Sequence, residues 1–397
     1  MGKRSMERKD VTRVEQKTYV TTPRLVLGCG AFAQAGEEMA RLGGSRVFVL
    51  AGGHAVREGK TEALERDLRG RGMESAVFDG IEPDPSCETL EKALAAAREF
   101  GADAVVGLGG GSPLDLAKAV SVLLTNEGAI RSFFGVDLVT QRGLPKVLIP
   151  TTAGTGTEVT AVAIFSDHKE KLKMGIVSPF LVPDAAILDP ELTLSVPPLV
   201  TAYTGMDALV HAMEAYTSVN ATSLSDMYAE QAMKLLFPNI RTAYADGRNL
   251  AARSAMMEGS MLAGKAFAIA GTTATHAFAY PIGAEFPIPH GMANALMVVE
   301  VFQFNLVGNL LKFARIADLA GEAVDGLPLR EAAQTLVASL RELVADLALP
   351  THLRDFGVKK SDLPRLAAGV LKVTRLLGNN PRRLTLEDAE AIYHRVL

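Results

Sequence analysis

Short apolar runs alternate with stretches of helical periodicity in the first half of the chain. The apolar runs predict strands at 46–52, 75–80, 102–110 and 146–152, and one of the helices between them is predicted to end at Gly101. Short apolar strands in such an alternation are typical of a parallel sheet covered by helices on both faces. The pattern therefore predicts an α/β domain built on a parallel sheet.

The pattern changes after about residue 195, where β-branched runs nearly vanish. We expect two domains: an α/β domain over residues 18–195 and an all-α domain over residues 196–397. The charged start of the chain, residues 1–17, is expected to be a flexible tail. Long amphipathic stretches predict helices in the second domain at 205–217, 222–245, 250–268, 291–321, 329–347 and 384–396.

The composition is that of an ordinary globular protein, and it argues against several functional classes. Of 397 residues, 48% are hydrophobic and 22% are charged, with a net charge of −4. The sequence has no long block of one charge sign and no tryptophan, so we expect no nucleic-acid partner. It has no run of 18 apolar residues and no signal-peptide pattern, so we expect no membrane partner. The two cysteines, Cys29 and Cys87, form no disulfide framework, which favours the cytoplasm.

One carboxylate and three imidazoles in the second half are candidate metal ligands. Asp207 and His211 stand four residues apart in TGMDALVHAMEAY, and His276 and His290 follow in ATHAFAYPIGAEFPIPHGMANAL. Residues four apart share one face of a helix, so the first two side chains can reach a single ion. The alternative is that each histidine is an ordinary hydrogen-bonded core residue. As ligands, imidazole and carboxylate suit zinc, iron and their neighbours.

A glycine-rich loop in GLGGGSPLDLAK joins a predicted strand to a predicted helix. Gly110 and Gly111 allow a tight turn and let a ligand approach the backbone closely. Ser112 is predicted to cap the helix, with Pro113 at the first helical position and Asp115 completing a capping box. The free N–H groups and the positive end of the helix dipole favour a pyrophosphate there, and a glycine-rich turn without a ligand is the alternative.

A second polar loop, PTTAGTGTE, follows the apolar run at 146–152. Hydroxyls at Thr151, Thr152 and Thr155 can donate hydrogen bonds to phosphate or ribose, because open α/β sheets bind nucleotides at the carboxyl ends of strands. The alternative is a turn stabilised by its own threonines. The segment GCGAFA, starting at Gly28, fits a dinucleotide-binding fingerprint, but no acidic residue follows about 20 positions later. We interpret it as a structural turn.

Together, GLGGGSPLDLAKA, IPTTAGTGTEVT, DALVHAMEAY, HAFAYPIG, PHGMANAL and NNPRRLTLED resemble the motifs of the iron-containing (group III) alcohol dehydrogenase family. The resemblance extends from about residue 20 to the end of the chain. It implies a dehydroquinate synthase-like fold, with an N-terminal dinucleotide-binding domain, a helical C-terminal domain and the active site in the cleft between them. It also implies NAD(P)-linked interconversion of a small alcohol and an aldehyde, and a homodimer or larger homo-oligomer.

Individual residues match family positions. The four candidate metal ligands match the family's ligands of Fe²⁺ or Zn²⁺. Gly111 and Ser112 match the pyrophosphate loop, and Thr151 and Thr152 match the second cofactor loop. Lys173 matches a lysine near the nicotinamide ribose. The resemblance thus implies a metal that polarises the substrate oxygen while hydride passes between the substrate carbon and the nicotinamide.

Three positions depart from the family pattern. Many members have an aspartate that binds the adenosine ribose where this chain has Gly52, which predicts that NADP(H) is accepted and preferred over NAD(H), with Arg57 as a candidate phosphate partner. Tyr280, the candidate catalytic residue, stands where many members have a histidine, and its higher pKa makes it a poorer proton relay. The family's Pro-Asn-Pro turn has Asp84 at its centre, which puts an adenosine contact in doubt.

Other functions remain open from the sequence. They are a metal-free maleylacetate reductase, a lyase or cyclase of the dehydroquinate synthase-like fold that uses NAD(P) transiently, and a non-catalytic assembly protein. The complete set of metal-ligand positions argues against the metal-free reductase and against the lyase or cyclase. The same set and the intact phosphate loop together argue against a non-catalytic assembly protein. Four phenylalanines are expected to give the cleft an apolar wall: Phe165, Phe267, Phe278 and Phe286.

Overall fold

A parallel sheet forms the framework of the first half of the computed structural model, which describes residues 18–167 and 172–397. The predicted tail, residues 1–17, lies outside the described residues. The strands are β1 Leu25–Leu27, β2 Arg46–Ala51, β3 Glu74–Phe78, β4 Ala104–Gly109, β5 Gly135–Val136, β6 Lys146–Pro150, β7 Val162–Asp167, β8 Leu172–Val177 and β9 Ala185–Leu188. Six of them form one sheet in the order β1-β9-β6-β4-β2-β3, with all neighbours parallel, so the predicted sheet is confirmed.

Helices cover both faces of this sheet. They are α1 Ala35–Arg41, α2 Gly53–Arg57, α3 Lys60–Gly70, α4 Cys87–Phe100 and α5 Gly111–Leu123. On β2, Val47 and Val49 belong to the core that includes residues of α1 and α3, whereas Phe48 and Leu50 belong to the core that includes residues of α4 and α5. Alternate side chains of a strand point to opposite faces, so a strand apolar at every position is buried on both.

A smaller sheet, in the order β5-β8-β7, was not expected from the sequence. Its strands β7 and β8 are antiparallel, and their register pairs Phe165 with Met174 and Ser166 with Lys173. This hairpin interrupts the strand–helix alternation before the last strand of the main sheet. It presents Lys173 to the cavity described below.

The second half is helical in the described residues. Its helices are α6 Pro198–Thr217, α7 Ser223–Ala245, α8 Leu250–Ala270, α9 Ala274–Glu285, α10 His290–Asn305, α11 Leu310–Leu319, α12 Leu329–Asp346, α13 Leu363–Lys372, α14 Thr374–Leu377 and α15 Leu386–Val396. The single helix predicted over 291–321 is two helices: α10 ends at Asn305, a 3-10 turn spans Leu306–Gly308, and Asn309 caps α11 by accepting a hydrogen bond from the Lys312 N–H. Helix α9 was missed because Pro281 lies inside it.

The segment His290–Gly308 is long and apolar enough to cross a membrane by length and composition, with a mean hydropathy of 1.3. However, 78% of it is buried within the structure, where α10 packs against α6, α9 and α12. A helix that is apolar on all sides is expected in the middle of a large core. We therefore interpret this segment as a core helix.

Two loops begin side by side at one edge of the main sheet. The last residue of β4, Gly109, pairs in register with the last residue of β6, Pro150. The Thr151 N–H continues the ladder by donating a 2.8 Å hydrogen bond to the Gly109 carbonyl. The glycine-rich loop and the threonine-rich loop therefore leave neighbouring strands at the carboxyl edge, the place where open α/β sheets bind ligands.

Candidate active site

A cavity of about 820 Å³ brings the two loops together with the candidate metal ligands. The sheet half contributes the residues after β4 and β6, and the helical half contributes α6, α9 and the start of α10. All four candidate ligands line this cavity: Asp207, His211, His276 and His290. Residues separated by more than 80 positions in the chain thus meet at one place.

Asp207, His276 and His290 form a compact group whose ligand atoms all lie within 4.8 Å of one another, and His211 contacts this group through His276. His276 Nε2 lies 2.9 Å from His211 Nε2 and 3.7 Å from Asp207 Oδ1, and His290 Nε2 lies 3.8 Å from the same carboxylate oxygen. Atoms that bind one ion at about 2.1 Å can be up to roughly 4.2 Å apart, so these separations suit a single centre. Asp207 and His211 lie on one face of α6, as their spacing predicts.

Glu214 fixes the orientation of His276. The Glu214 carboxylate lies 2.6 Å from His276 Nδ1. Burial raises the pKa of Glu214, but the interactions with His276 and Thr273 outweigh burial, so the pKa is lowered. An ionised carboxylate only accepts hydrogen bonds, so Nδ1 carries the ring proton and Nε2 keeps its lone pair. That lone pair points towards Asp207 and His211, where a metal ligand needs it.

The donor atoms fit a divalent cation. Burial lowers the pKa of His211 to about 4 and that of His290 to about 3, so both rings are neutral at pH 7. Burial opposes ionisation of Asp207, but the nearby imidazoles and the amide of Asn294 lower its pKa, so it is an anion. Neutral imidazoles and one carboxylate are the protonation states that metal binding requires. Asn294 Nδ2 lies 2.7 Å from Asp207 Oδ1 and is a hydrogen-bond donor to it.

The sequence arguments missed Glu214, Thr273 and Asn294. Their spacing was a usable signal, because Glu214 follows His211 by three positions and Asn294 follows His290 by four. The partner of Glu214 was not readable, since Thr273 and His276 are about 60 residues away in the chain. Only the tertiary fold, in which α6 and α9 both pack on α10, brings these residues together.

The glycine-rich loop differs from its prediction at the helix start. Helix α5 begins at Gly111 with Gly110 as its cap, and no side chain caps it, so the predicted Ser112 cap and the capping box are wrong. Ser112 Oγ instead accepts a 3.1 Å hydrogen bond from the Asp84 N–H. Asp115 accepts from the Ile164 N–H at 2.9 Å, because β7 passes close to the first turn of the helix. The N–H groups of this turn are thereby left for a ligand.

The second loop packs against the first. A Cβ at Gly111 would lie 2.8 Å from Thr155 Cγ2, so a larger residue there would require Thr155 to shift where the loops approach each other. Thr152 and Thr155 line the cavity, as do Gly110, Gly111, Ser112, Asp115 and Lys173. Thr151 does not line it, because its backbone belongs to the sheet edge and its side chain is buried. That these residues bind a cofactor stays a prediction.

Gly52 lies away from the cavity, at the start of α2. Its backbone is extended, with φ −70°. A Cβ there would meet nothing closer than Pro113 Cγ at 3.6 Å, so packing does not require glycine. Gly28 and Gly30 likewise do not line the cavity and take positive φ values after β1, in keeping with a turn.

Lys173 and Tyr280 also line the cavity. Lys173 forms a 3.0 Å ion pair with Asp84, the residue at the centre of the Pro-Asp-Pro turn. The Tyr280 ring lies 6.0 Å from the ring of His290, and burial raises the pKa of its hydroxyl. Asp84 therefore has a partner within the protein, and Tyr280 is protonated at neutral pH.

Only one of the four phenylalanines expected in the cleft wall lies there. Phe267 lines the cavity and stacks on His211, with the ring centroids 4.3 Å apart. Phe165 and Phe278 are fully buried, where they pack on Phe134 and Tyr393. Phe286 packs on the helical core outside the cavity lining. The expectation was wrong for these three because apolar side chains fill the interior before they line a polar cleft.

Comparison with known proteins identifies the family. Residues 22–190 match the family model described as iron-containing alcohol dehydrogenase, and residues 201–397 match that of the C-terminal part of the Fe-containing alcohol dehydrogenase family. The chain belongs to the iron-containing alcohol dehydrogenase family. It is accordingly an oxidoreductase of the alcohol dehydrogenase and aldehyde reductase type, with the fold of this family.

Three relatives illustrate the similarity. The chain is 40% identical over 376 residues to a sulfoacetaldehyde reductase of Bilophila wadsworthia. The aligned residues cover 94% of this chain and 97% of the relative. It superposes on a crystal structure of 1,3-propanediol oxidoreductase with a TM-score of 0.94 and 37% identity, covering 96% of this chain and 100% of the other. It also resembles a sulfoacetaldehyde reductase from Bifidobacterium kashiwanohense in complex with NAD+, with a TM-score of 0.87, 29% identity, and coverage of 96% and 99%.

Proposed function

We propose that this protein is a metal-dependent, NAD(P)-linked dehydrogenase that interconverts a small alcohol and its aldehyde. In the reducing direction, an aldehyde, NAD(P)H and a proton give an alcohol and NAD(P)+. One observation carries the proposal: Asp207, His276 and His290 offer donor atoms that all lie within 4.8 Å of one another beside the phosphate-binding loop, and His211 Nε2 lies 2.9 Å from His276 Nε2. The comparisons support the class of reaction, and the metal and the cofactor are our inference.

The side chains divide the work between them. Asp207, with His211, His276 and His290, would hold Fe²⁺ or Zn²⁺, which would supply Lewis-acid polarisation of the substrate oxygen. Phe267 covers one side of His211 and excludes water from it. Tyr280, protonated and near His290, can donate a hydrogen bond but cannot act as a base at neutral pH.

The sheet half would position the cofactor. The first turn of α5 offers unpaired N–H groups, which favours a pyrophosphate between the loops at Gly111 and Thr155. Lys173 lines the same cavity, between this loop and the helices that carry the metal ligands. Such an arrangement holds the nicotinamide and the substrate carbon in one orientation, which lowers the entropic barrier to hydride transfer.

We further propose a preference for NADP(H) over NAD(H). Gly52 contributes no carboxylate to repel a 2′-phosphate, although the space around it would accept a side chain. Arg57 adds a positive charge nearby, since its guanidinium nitrogen lies 3.3 Å from the position of a Cβ on Gly53. The test is the ratio of kcat/KM for NADPH over NADH, which we expect to exceed one in the natural protein and to fall in Gly52→Asp. A ratio well below one in the natural protein would contradict the preference.

Metal dependence is tested by removal and replacement. Protein treated with a chelator should lose NAD(P)H oxidation with short aldehydes, and Fe²⁺ or Zn²⁺ should restore it. Asp207→Ala and His276→Ala should not recover, whereas His394→Ala, a change at an exposed histidine, should behave as the natural protein does. Chelated, folded Asp207→Ala and His276→Ala proteins that turn over aldehydes at the parental rate would rule out the proposed metal centre.

The same test addresses two alternatives. A metal-free reductase would remain active without metal, and a non-catalytic protein would show no activity at all. The cyclase alternative uses one glutamate and two histidines as zinc ligands, whereas here Glu214 contacts His276 Nδ1 and the converging groups are an aspartate and three imidazoles. We also propose a cytoplasmic location, supported by two free cysteines, Cys29 and Cys87.

A further inference from the structure

Arg375 is an exposed, charged residue that lines the cavity and has no partner among the described residues. It lies on α14, between the cavity of about 820 Å³ and a second one of about 590 Å³, and it lines both. Other charges in the larger cavity are satisfied: Lys173 pairs with Asp84 at 3.0 Å, and Asp115 pairs with Lys118 at 3.2 Å. Within residues 18–167 and 172–397, Arg375 forms neither an ion pair nor a hydrogen bond.

The positive charge of Arg375 acts close to the candidate reaction centre. Burial raises the pKa of Tyr280, and Arg375 is the strongest of the charges that modify it, ahead of Asp207. The Tyr280 ring in turn lies 6.0 Å from the ring of His290. Arg375, Tyr280 and His290 line the same cavity, so a substrate in it can face both the guanidinium and a candidate metal ligand.

We propose that the substrate is a short aldehyde or alcohol that carries an anionic group, a sulfonate or a carboxylate, and that Arg375 binds this group. The inference rests on the proposed function, because it requires the reacting oxygen to lie at the cluster of Asp207 and the three histidines. A guanidinium binds planar or tetrahedral oxyanions through paired hydrogen bonds. An unpaired positive charge at a cleft wall also raises the local concentration of anions.

The test compares two aldehydes of the same shape and different charge. In 3,3-dimethylbutanal a tert-butyl group replaces the sulfonate of sulfoacetaldehyde. We expect the natural protein to prefer sulfoacetaldehyde, and Arg375→Gln to lower kcat/KM for sulfoacetaldehyde by roughly 10- to 100-fold, as for loss of a charged hydrogen bond, with no loss for 3,3-dimethylbutanal. Arg375→Lys should retain more activity than the Gln variant. Lys372→Gln, which removes an exposed charge that lines only the smaller cavity, should change neither value.

Two further measurements decide between explanations. The KM for sulfoacetaldehyde should rise with KCl in the natural protein and not in Arg375→Gln, because salt screens the attraction. Succinic semialdehyde should show the same selective loss if a carboxylate is also recognised. Two results for Arg375→Gln would overturn the inference. Equal losses of kcat/KM with both isosteric aldehydes would show that Arg375 supports the fold, and a raised KM for the cofactor would show that it binds the cofactor. If the natural protein reduces 3,3-dimethylbutanal as well as sulfoacetaldehyde, the inference about Arg375 is wrong but the proposed function stands. If metal-supplemented protein reduces no aldehyde, the proposed function is wrong as well.

Discussion

At the residue scale, Glu214 has a larger role than its absence from the ligand set suggests. It is fully buried and accepts hydrogen bonds from the Thr273 N–H, the Thr273 hydroxyl, the Thr275 N–H and His276 Nδ1. These bonds join α6 to the start of α9 and fix the tautomer of His276. Four donors that converge on one side chain require a carboxylate, because an amide would bring its own N–H groups against them.

We predict that Glu214→Gln lowers metal affinity by about 10- to 100-fold, the usual cost of losing a carboxylate that orients a ligand histidine. The loss follows because His276 Nε2 would no longer be held as an unprotonated ligand atom. Competition with a chelator of known affinity measures it directly, without an activity assay. Glu342→Gln, at an exposed position on α12, is the matched control. An unchanged affinity in Glu214→Gln would show that packing alone orients His276.

Tyr280 lies close enough to His290 to influence the reaction, but its chemistry limits its role. Burial raises the pKa of its hydroxyl above the usual value, so it remains protonated at physiological pH. We predict that Tyr280→Phe lowers kcat less than tenfold, as expected for the loss of one neutral hydrogen bond worth about 1 kcal/mol. Steady-state kinetics at saturating cofactor provide the measurement. A drop of several orders of magnitude would instead assign Tyr280 a direct part in proton transfer.

At the scale of elements, Lys118 connects the helix of the first loop to the second loop. Its ammonium group is fully buried on α5, lies 3.2 Å from Asp115, and donates to the Thr157 carbonyl at 3.0 Å and to Thr160 Oγ1 at 3.2 Å. It also contacts Thr157 Oγ1 and the Val162 carbonyl. One cation thus satisfies several buried acceptors that would otherwise lack a donor.

We predict that Lys118→Met destabilises the protein by about 3 kcal/mol, because it leaves Asp115 and buried carbonyls without their partner. Urea denaturation followed by circular dichroism measures the change. Lys92→Met, on the neighbouring helix α4 where the side chain is exposed, is the control for loss of charge. Stability equal to that of the natural protein would mean that water replaces the ammonium group.

The elements that the sequence predicts well are those whose pattern depends on burial alone. The apolar runs become β2, β4 and β6, and the amphipathic stretches become α7, α8, α12 and α15. The β7–β8 hairpin and α9 were not predicted, because their stability depends on contacts with distant elements. Helix α9 contains Pro281, yet it forms because Glu214 satisfies the N–H groups at its start and α10 packs on it.

At the scale of the whole molecule, the candidate site depends on the meeting of the two halves. The spacing of Asp207 and His211 predicted one shared face, and the sequence also indicated His276 and His290 as candidate ligands, which a family resemblance then supported. The sequence could not predict which threonines face the cavity, since Thr151 and Thr152 are neighbours and only the strand register separates them. The same holds for Arg375, which no motif marks and which reaches the cavity only through the packing of α14.

A buried acid lies where the two halves touch. Glu158 follows Gly156, at which a Cβ would lie 2.7 Å from Gly264 Cα on α8, so the threonine-rich loop packs directly on the helical half. Its side chain is 3% exposed, and burial raises its pKa from 4.5 to about 7, partly offset by the charge of Lys118. We therefore expect Glu158 to couple the packing of the halves to pH.

The sign of this coupling follows from the direction of the shift. An acid whose pKa is raised by folding stabilises the native state fully below pH 4.5, and this contribution is lost as the pH rises through about 7. Glutamine does not titrate, so the Glu158→Gln variant lacks this pH-dependent contribution. We predict that the free energy of unfolding of the variant, relative to that of the natural protein, increases by roughly 3 kcal/mol between pH 4.5 and 8. Urea denaturation of both proteins at several pH values measures the difference, with exposed Glu191→Gln as the control. Parallel pH profiles for Glu158→Gln and the natural protein would show that folding does not raise the pKa of Glu158, and that the contact between the halves does not depend on its protonation.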